Sequence, residues 1–96
     1  MIETEMIETK RGAALGVKID LPGAPLLLIK AELGYVACGY FDPQTIEKVG
    51  DPAVVVRGVK SFDDMLKSRV AFVSRKAKEL GVRETMTGLQ ALDRFI

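Results

Sequence analysis

Cys38 is the only cysteine of this chain, and none of its 96 residues is a histidine. A nucleophilic cysteine works as a thiolate. A free thiol titrates near pH ~8.5, so a cation, a helix N-terminus or a metal must favour the charged form. Without imidazole there is no Cys–His or Ser–His pair and no histidine metal ligand. The cations best placed to help are Arg57 and Lys60, in Arg57-Gly58-Val59-Lys60-Ser61. That stretch follows a β-branched run and opens a helix, where unpaired N–H groups and partial positive charge can receive phosphate or carboxylate. The Gly-x4-Gly-Lys-Ser/Thr spacing of a P-loop is absent. Thr87-Gly88 is a second helix start of the same kind, with Gly88 permitting close backbone approach. Cys38 is thus the catalytic candidate, and Arg57, Gly58, Lys60, Ser61, Thr87 and Gly88 are the ligand-binding candidates. Asp63 and Asp64 are adjacent and diverge by about 100° on a helix, so they share no proton. Glu3, Glu5 and Glu8 read as edge-strand charges that discourage stray pairing. With a lone cysteine and no histidine, no metal and no cofactor is expected.

The elements that must position these groups are legible from periodicity. Leu15, Val17, Ile19 and Leu21 alternate with Ala14, Gly16, Lys18 and Asp20, the period of a strand. Leu21-Pro22-Gly23-Ala24-Pro25 breaks it, and Leu26-Leu27-Leu28-Ile29 is continuous, as in a strand covered on both faces. Glu32-Leu33-Gly34 is a turn, and Tyr35 to Phe41 returns antiparallel. That return places Cys38 within a strand, on one face with Val36 and Tyr40, where it reads as a small core hydrophobe. Residues 2–9 form a further strand through a turn at Lys10-Arg11-Gly12. Within it Met1-Ile2-Glu3-Thr4 recurs as Met6-Ile7-Glu8-Thr9; the odd offset sends Ile2 and Ile7 to opposite faces.

Asp42-Pro43 is an N-cap followed by proline at the first helical position, and Gly50 ends that short helix. Ala53-Val54-Val55-Val56 is a strand. Ser61 caps a helix with Asp63 and Asp64 in its first turn, although Asp64 stands where a capping box has Glu or Gln. Val70, Val73, Ala77 and Leu80 share one helical face, ended by Gly81; length favours a helix over a strand at residues 69–74. Thr87 with Gln90 fits a capping box that turns Leu89, Leu92 and Phe95 inward. The expected fold is α+β: an N-terminal, mostly antiparallel sheet of about four strands, then a helix, a strand and two to three helices packed on one face. Residues 1–96 form one domain, with a β region over about 1–41 and a mixed helical part over 42–96.

Hydrophobic residues make up 48% of the chain, more than a lone small domain needs for its interior, which points to a subunit interface. The N-terminus carries no signal-peptide pattern, no apolar run reaches membrane-spanning length, and one cysteine cannot form an internal disulfide. These features predict a cytoplasmic protein with no membrane partner. Residues 1–56 carry five Lys/Arg against eight Asp/Glu, and residues 57–96 carry nine against five. The second half is therefore basic, but the formal net charge of +1 does not argue for nucleic acid.

Three motifs in this order resemble the YunC-like family, small bacterial and archaeal proteins classed as a domain of unknown function. They are Gly34-Tyr35-Val36-Ala37-Cys38-Gly39; Arg57 through Leu66; and Leu80-Gly81-Val82 followed by Met86-Thr87-Gly88-Leu89-Gln90-Ala91-Leu92. The resemblance implies an N-terminal β region that mediates tetramerisation, and it brings no activity. Thr85 departs from the family pattern, which has Gly before the Met-Ser/Thr-Gly motif.

The preferred functional expectation is a non-catalytic homo-oligomer assembled through its N-terminal β region and binding a small anion at helix N-termini. An enzyme using Cys38 with Arg57 or Lys60 is the first alternative. A nucleic-acid module using Lys67, Arg69, Arg75, Lys76 and Lys78 is the second; neighbouring aromatics are limited to Phe62 and Phe72.

Overall fold

A computed structural model describes residues 1–96. Its elements are β1 (Ile2–Thr9), β2 (Gly12–Ile19), β3 (Leu26–Lys30), β4 (Tyr35–Ala37), α1 (Pro43–Val49), β5 (Ala53–Val55), α2 (Phe62–Lys67), β6 (Phe72–Val73), α3 (Arg75–Glu79) and α4 (Gly88–Phe95). The six strands form one sheet in chain order. Every neighbouring pair is antiparallel except β4 and β5, which run parallel. Parallel neighbours need a crossover, and α1 supplies it. The fold is α+β, with β6 as one strand beyond the N-terminal four and the single later strand expected from sequence.

The sheet separates two apolar layers. On one side Ile7, Ala14, Leu27, Ile29, Val36 and Val54 pack with Met65 of α2, Ala77 of α3, and Ala91, Leu92 and Phe95 of α4. On the other side Ile46 of α1 covers Ala37, Ala53 and Val55, with Leu28, Tyr35, Phe41 and Phe72 around them. The three later helices therefore share one face, and α1 lies alone on the opposite face. Full burial of a side chain such as Leu92 or Phe95 contributes about 1.5–3 kcal/mol. Two glycines make the helical face possible. A Cβ on Gly16 would stand 2.9 Å from the Phe62 ring, and one on Gly34 would strike the Pro52 carbonyl oxygen and the Phe95 ring.

The odd-offset repeat behaves as its spacing requires. Ile7 is 6% exposed, whereas Ile2 and Met6 on the opposite face are 66% and 62% exposed. The caps also form as their residue types demand. Asp42 accepts from the Thr45 amide at 3.2 Å, and Gly50 ends α1 in the left-handed region at φ +89°. Thr87 and Gln90 close a reciprocal capping box. At α2 the Asp64 amide donates to Ser61 Oγ at 3.1 Å, but the Asp64 carboxylate accepts from the Lys60 amide at 3.0 Å. The side chain that replaces Glu or Gln there reaches a different donor.

Residues 69–74 differ from the expected helix. Arg69 bridges to Thr87, the Ala71 amide donates to the Val55 carbonyl at 2.8 Å, and Phe72–Val73 pair with β5 as β6. Helix α3 begins only after Ser74. Val70, Val73 and Ala77 are all buried, so the apolar spacing marks the core although two different elements carry it. The deciding residue is Ser74, which is fully buried. Its hydroxyl accepts from the amides of Ala53 (3.0 Å) and Ala77 (3.1 Å) and donates to the Asp51 carbonyl (2.8 Å). One side chain thereby ends the strand and starts the helix.

Tyr35 links β4 to the loop before β5: its hydroxyl donates to Asp51 Oδ2 at 2.9 Å. Partial burial, then the hydrogen bond and the neighbouring negative charge, push the phenol from 10.0 up to about 12. An acid whose folded pKa is raised contributes stability that is complete below the unfolded value and disappears as pH climbs through the folded value. Urea midpoints of the wild type should therefore fall between pH 10 and about 12 by more than those of Tyr35→Phe. Parallel curves for the two proteins would show that this pair does not couple to folding.

Candidate functional site

The chain leaves β4 toward α1 on one face and leaves β5 toward α2 on the other. Adjacent parallel strands whose connections diverge in this way open a crevice at their carboxyl ends, the place where open α/β sheets bind ligands. A cleft of about 370 Å³ lies there, lined by Ala24, Pro25, Cys38, Gly39, Tyr40, Gly58, Val59 and Lys60. Three loops build it: the β2–β3 connection, the turn after β4 and the turn after β5.

Each loop is shaped by its own residue types. Strand β4 ends at Ala37, so Cys38 leaves the strand it was expected to occupy and begins the turn. The Cys38 amide still donates to the Leu27 carbonyl at 3.2 Å, and the Phe41 amide donates to the Cys38 carbonyl at 3.1 Å. The thiol is 4% exposed, and Cys38 Sγ accepts from the Leu27 amide at 3.3 Å. Tyr40 does not share a buried face with it. Its ring is half exposed, and its hydroxyl donates to the Ala24 carbonyl at 3.0 Å, tying two walls of the cleft together. Gly58 has φ +70°, a conformation that favours glycine, and it turns the chain back toward α2. Arg57 arches over the turn after β4: its Nη1 lies 3.6 Å from where a Cβ on Gly39 would be.

Among the candidates read from sequence, Cys38, Gly58 and Lys60 meet in this cleft, and Arg57 stands at its edge. Ser61 caps α2 and lies beside Glu3, Glu5, Lys18, Phe62 and Asp63 instead. The first turn of α2 already holds its own carboxylates, Asp63 and Asp64. Thr87 and Gly88 sit elsewhere, with their groups used inside the chain. The Thr87 amide donates to Gln90 Oε1 at 2.9 Å, and the Gly88 amide donates to the Ser68 carbonyl at 2.8 Å. The basic residues of the second half are dispersed. Lys67 pairs with Asp63 at 2.9 Å, Lys78 pairs with Glu84 at 3.6 Å, and the Arg75 amide docks on Glu47. No three His, Cys, Asp or Glu side chains converge as a metal would require.

Sequence reading missed Ala24, Pro25, Gly39, Tyr40 and Val59. The available signal was the succession of strand, short helix and strand over 35–55, which is a βαβ pattern and predicts a ligand crevice where the strands end.

A second feature is a surface. On β1, β2 and β3 the register aligns three rows across the face opposite α2 and α4: Ile2, Ile19 and Leu26; Thr4, Val17 and Leu28; Met6, Leu15 and Lys30. Helix α1 covers the neighbouring β4–β5 part of this face, while Ile2, Met6 and Leu15 are exposed and Val17, Ile19, Leu26 and Leu28 are only half-buried. No helix is long and apolar enough to cross a membrane.

Comparison with known proteins gives three likenesses. The model of a family described as a domain of unknown function (DUF1805) matches residues 37–95. The uncharacterized protein YunC of Bacillus subtilis (strain 168) is 31% identical over 91 residues, which are 91% of this chain and 88% of that protein. The crystal structure of a protein of unknown function from Thermoplasma acidophilum, TA1206, superposes with a TM-score of 0.94 at 38% identity, covering 100% of this chain and 94% of that one.

Proposed function

This chain belongs to the DUF1805 family, that of the YunC-like proteins, and from that premise we propose that it works as a homo-oligomer held together by the bare face of β1, β2 and β3. The observation that carries the reading is the set of aligned apolar rows. Ile2, Met6, Leu15, Val17 and Ile19 stand on one sheet face outside both core layers, with Leu28 at the border of the α1 layer. Contiguous apolar surface of this kind marks an interaction site in small proteins. A second copy is the natural cover, because two such faces pack as a sandwich with side chains interdigitated in a layer about 10 Å thick. Thr4 lies in the middle row and Lys30 at one end, so polar groups remain toward a rim. The family resemblance supports the same region, since it implies tetramerisation through N-terminal strands.

Light scattering at micromolar concentration tests the proposal. The expected mass is a small multiple of the 10.5 kDa chain. A clean 10.5 kDa species across that range would remove it.

A further inference from the structure

Beyond self-association, we propose that the cleft at the carboxyl ends of β4 and β5 binds a small organic anion, an oxyanion head on an apolar body. Its position follows from topology, since the chain departs to opposite faces on its two sides. Its volume of about 370 Å³ falls within the range of small-molecule sites.

The lining sets the ligand's charge. Lys60 is its only charged residue, and no carboxylate shares the cleft. Arg57 reaches over Gly39 at the edge. Neither cation takes part in an ion pair, whereas Lys67 and Lys78 each have a carboxylate partner. The backbone N–H groups of Gly39, Tyr40, Gly58 and Val59 make no hydrogen bond within the chain. Unpaired amides with two free cations suit a carboxylate or phosphate head through charge-assisted hydrogen bonds. Pro25, Val59 and the Tyr40 ring give the apolar body its walls, and the Cys38 sulfur, held by the Leu27 amide, is the soft floor. The site does not depend on a helix start: the carboxylates on α2 occupy that end themselves.

The test is a titration of the ¹⁵N-labelled full chain followed by amide NMR. The probes are benzoate, phenyl phosphate, neutral benzamide and inorganic phosphate. Benzoate or phenyl phosphate should shift the amides of Gly39, Tyr40, Gly58 and Val59 saturably. Arg57→Gln combined with Lys60→Gln should keep the dispersed spectrum of the folded chain and weaken binding by about tenfold or more. Benzamide and inorganic phosphate should bind more weakly than either organic anion. The proposal is overturned if neither organic anion gives a saturable shift at those amides, if the double variant binds equally well, or if benzamide or inorganic phosphate matches them. The light-scattering mass is read separately, so failure of the cleft and failure of self-association are distinct results.

Discussion

Gly88→Ala should be the most damaging small substitution in this protein. Gly88 opens α4, and a Cβ at that position would collide with the Met65 carbonyl oxygen at close range, with the Met65 carbonyl carbon 2.9 Å away. The obstacle is backbone, so no side-chain rotation relieves it. Neither helix can retreat, since Met65, Ala91, Leu92 and Phe95 are fully buried on the two sides of the contact. The Gly88 amide also donates to the Ser68 carbonyl at 2.8 Å, and separation would break that bond between the helices. Overpacking costs typically ~1–3 kcal/mol and occasionally more; with backbone on both sides the loss should reach about 3 kcal/mol or beyond. Small domains have only about 5–15 kcal/mol to lose. The check is the urea midpoint at fixed chain concentration, because the proposed self-association would make stability concentration-dependent. Gly50→Ala is the control. Its φ is +89° with nothing within 4 Å, so only the left-handed conformation is penalised, by about 1–2 kcal/mol. Equal midpoints for the two variants would refute the close approach of α2 and α4.

If the proposed oligomer forms through the β1–β2 face, Met6→Lys combined with Leu15→Glu should leave a monomer of 10.5 kDa that is still folded. Met6 and Leu15 stand directly opposite one another on β1 and β2, and Lys30 follows on β3. The introduced charges are complementary across the strands, so the hairpin retains a favourable cross-strand pair. Facing another apolar sheet, however, they would be buried away from water, and a buried ion pair gains little against its desolvation. Circular dichroism unchanged from the wild type with a monomeric mass is the expected pair of results. An unchanged assembly mass would move the interface off this face.

Much of the architecture was already legible in local chemistry. Asp42-Pro43, Gly50, Ser61, Thr87 with Gln90, and Gly81 set element boundaries because capping and left-handed turns depend on residue type at single positions. The alternation in β2 and the odd offset within β1 assigned faces because the strand period is two. Residues 69–74 resisted this treatment. Val70 and Val73 suit a helix stripe and a strand equally, and the choice rests on bonds to Val55, Ala53 and Thr87, which are distant in sequence.

The candidate site divides along the same line. Residue types alone supply the chemical inventory: one thiol, no imidazole, an Arg57–Lys60 pair of cations around a glycine, and a chain that is 48% hydrophobic. Which of them meet is settled by long-range pairing and packing. The fold joined Cys38 to Gly58 and Lys60 through a parallel β4–β5 pair, added Ala24, Pro25 and Tyr40 from elsewhere in the chain, and left Thr87 and Gly88 in a helix contact. The same packing leaves apolar residues of β1 and β2 bare, because α1 covers β4 and β5 and reaches only Leu28 of β3. The physical reason is that capping and periodicity act over a few residues, whereas strand order and helix placement are settled by long-range pairing and by competition for apolar surface.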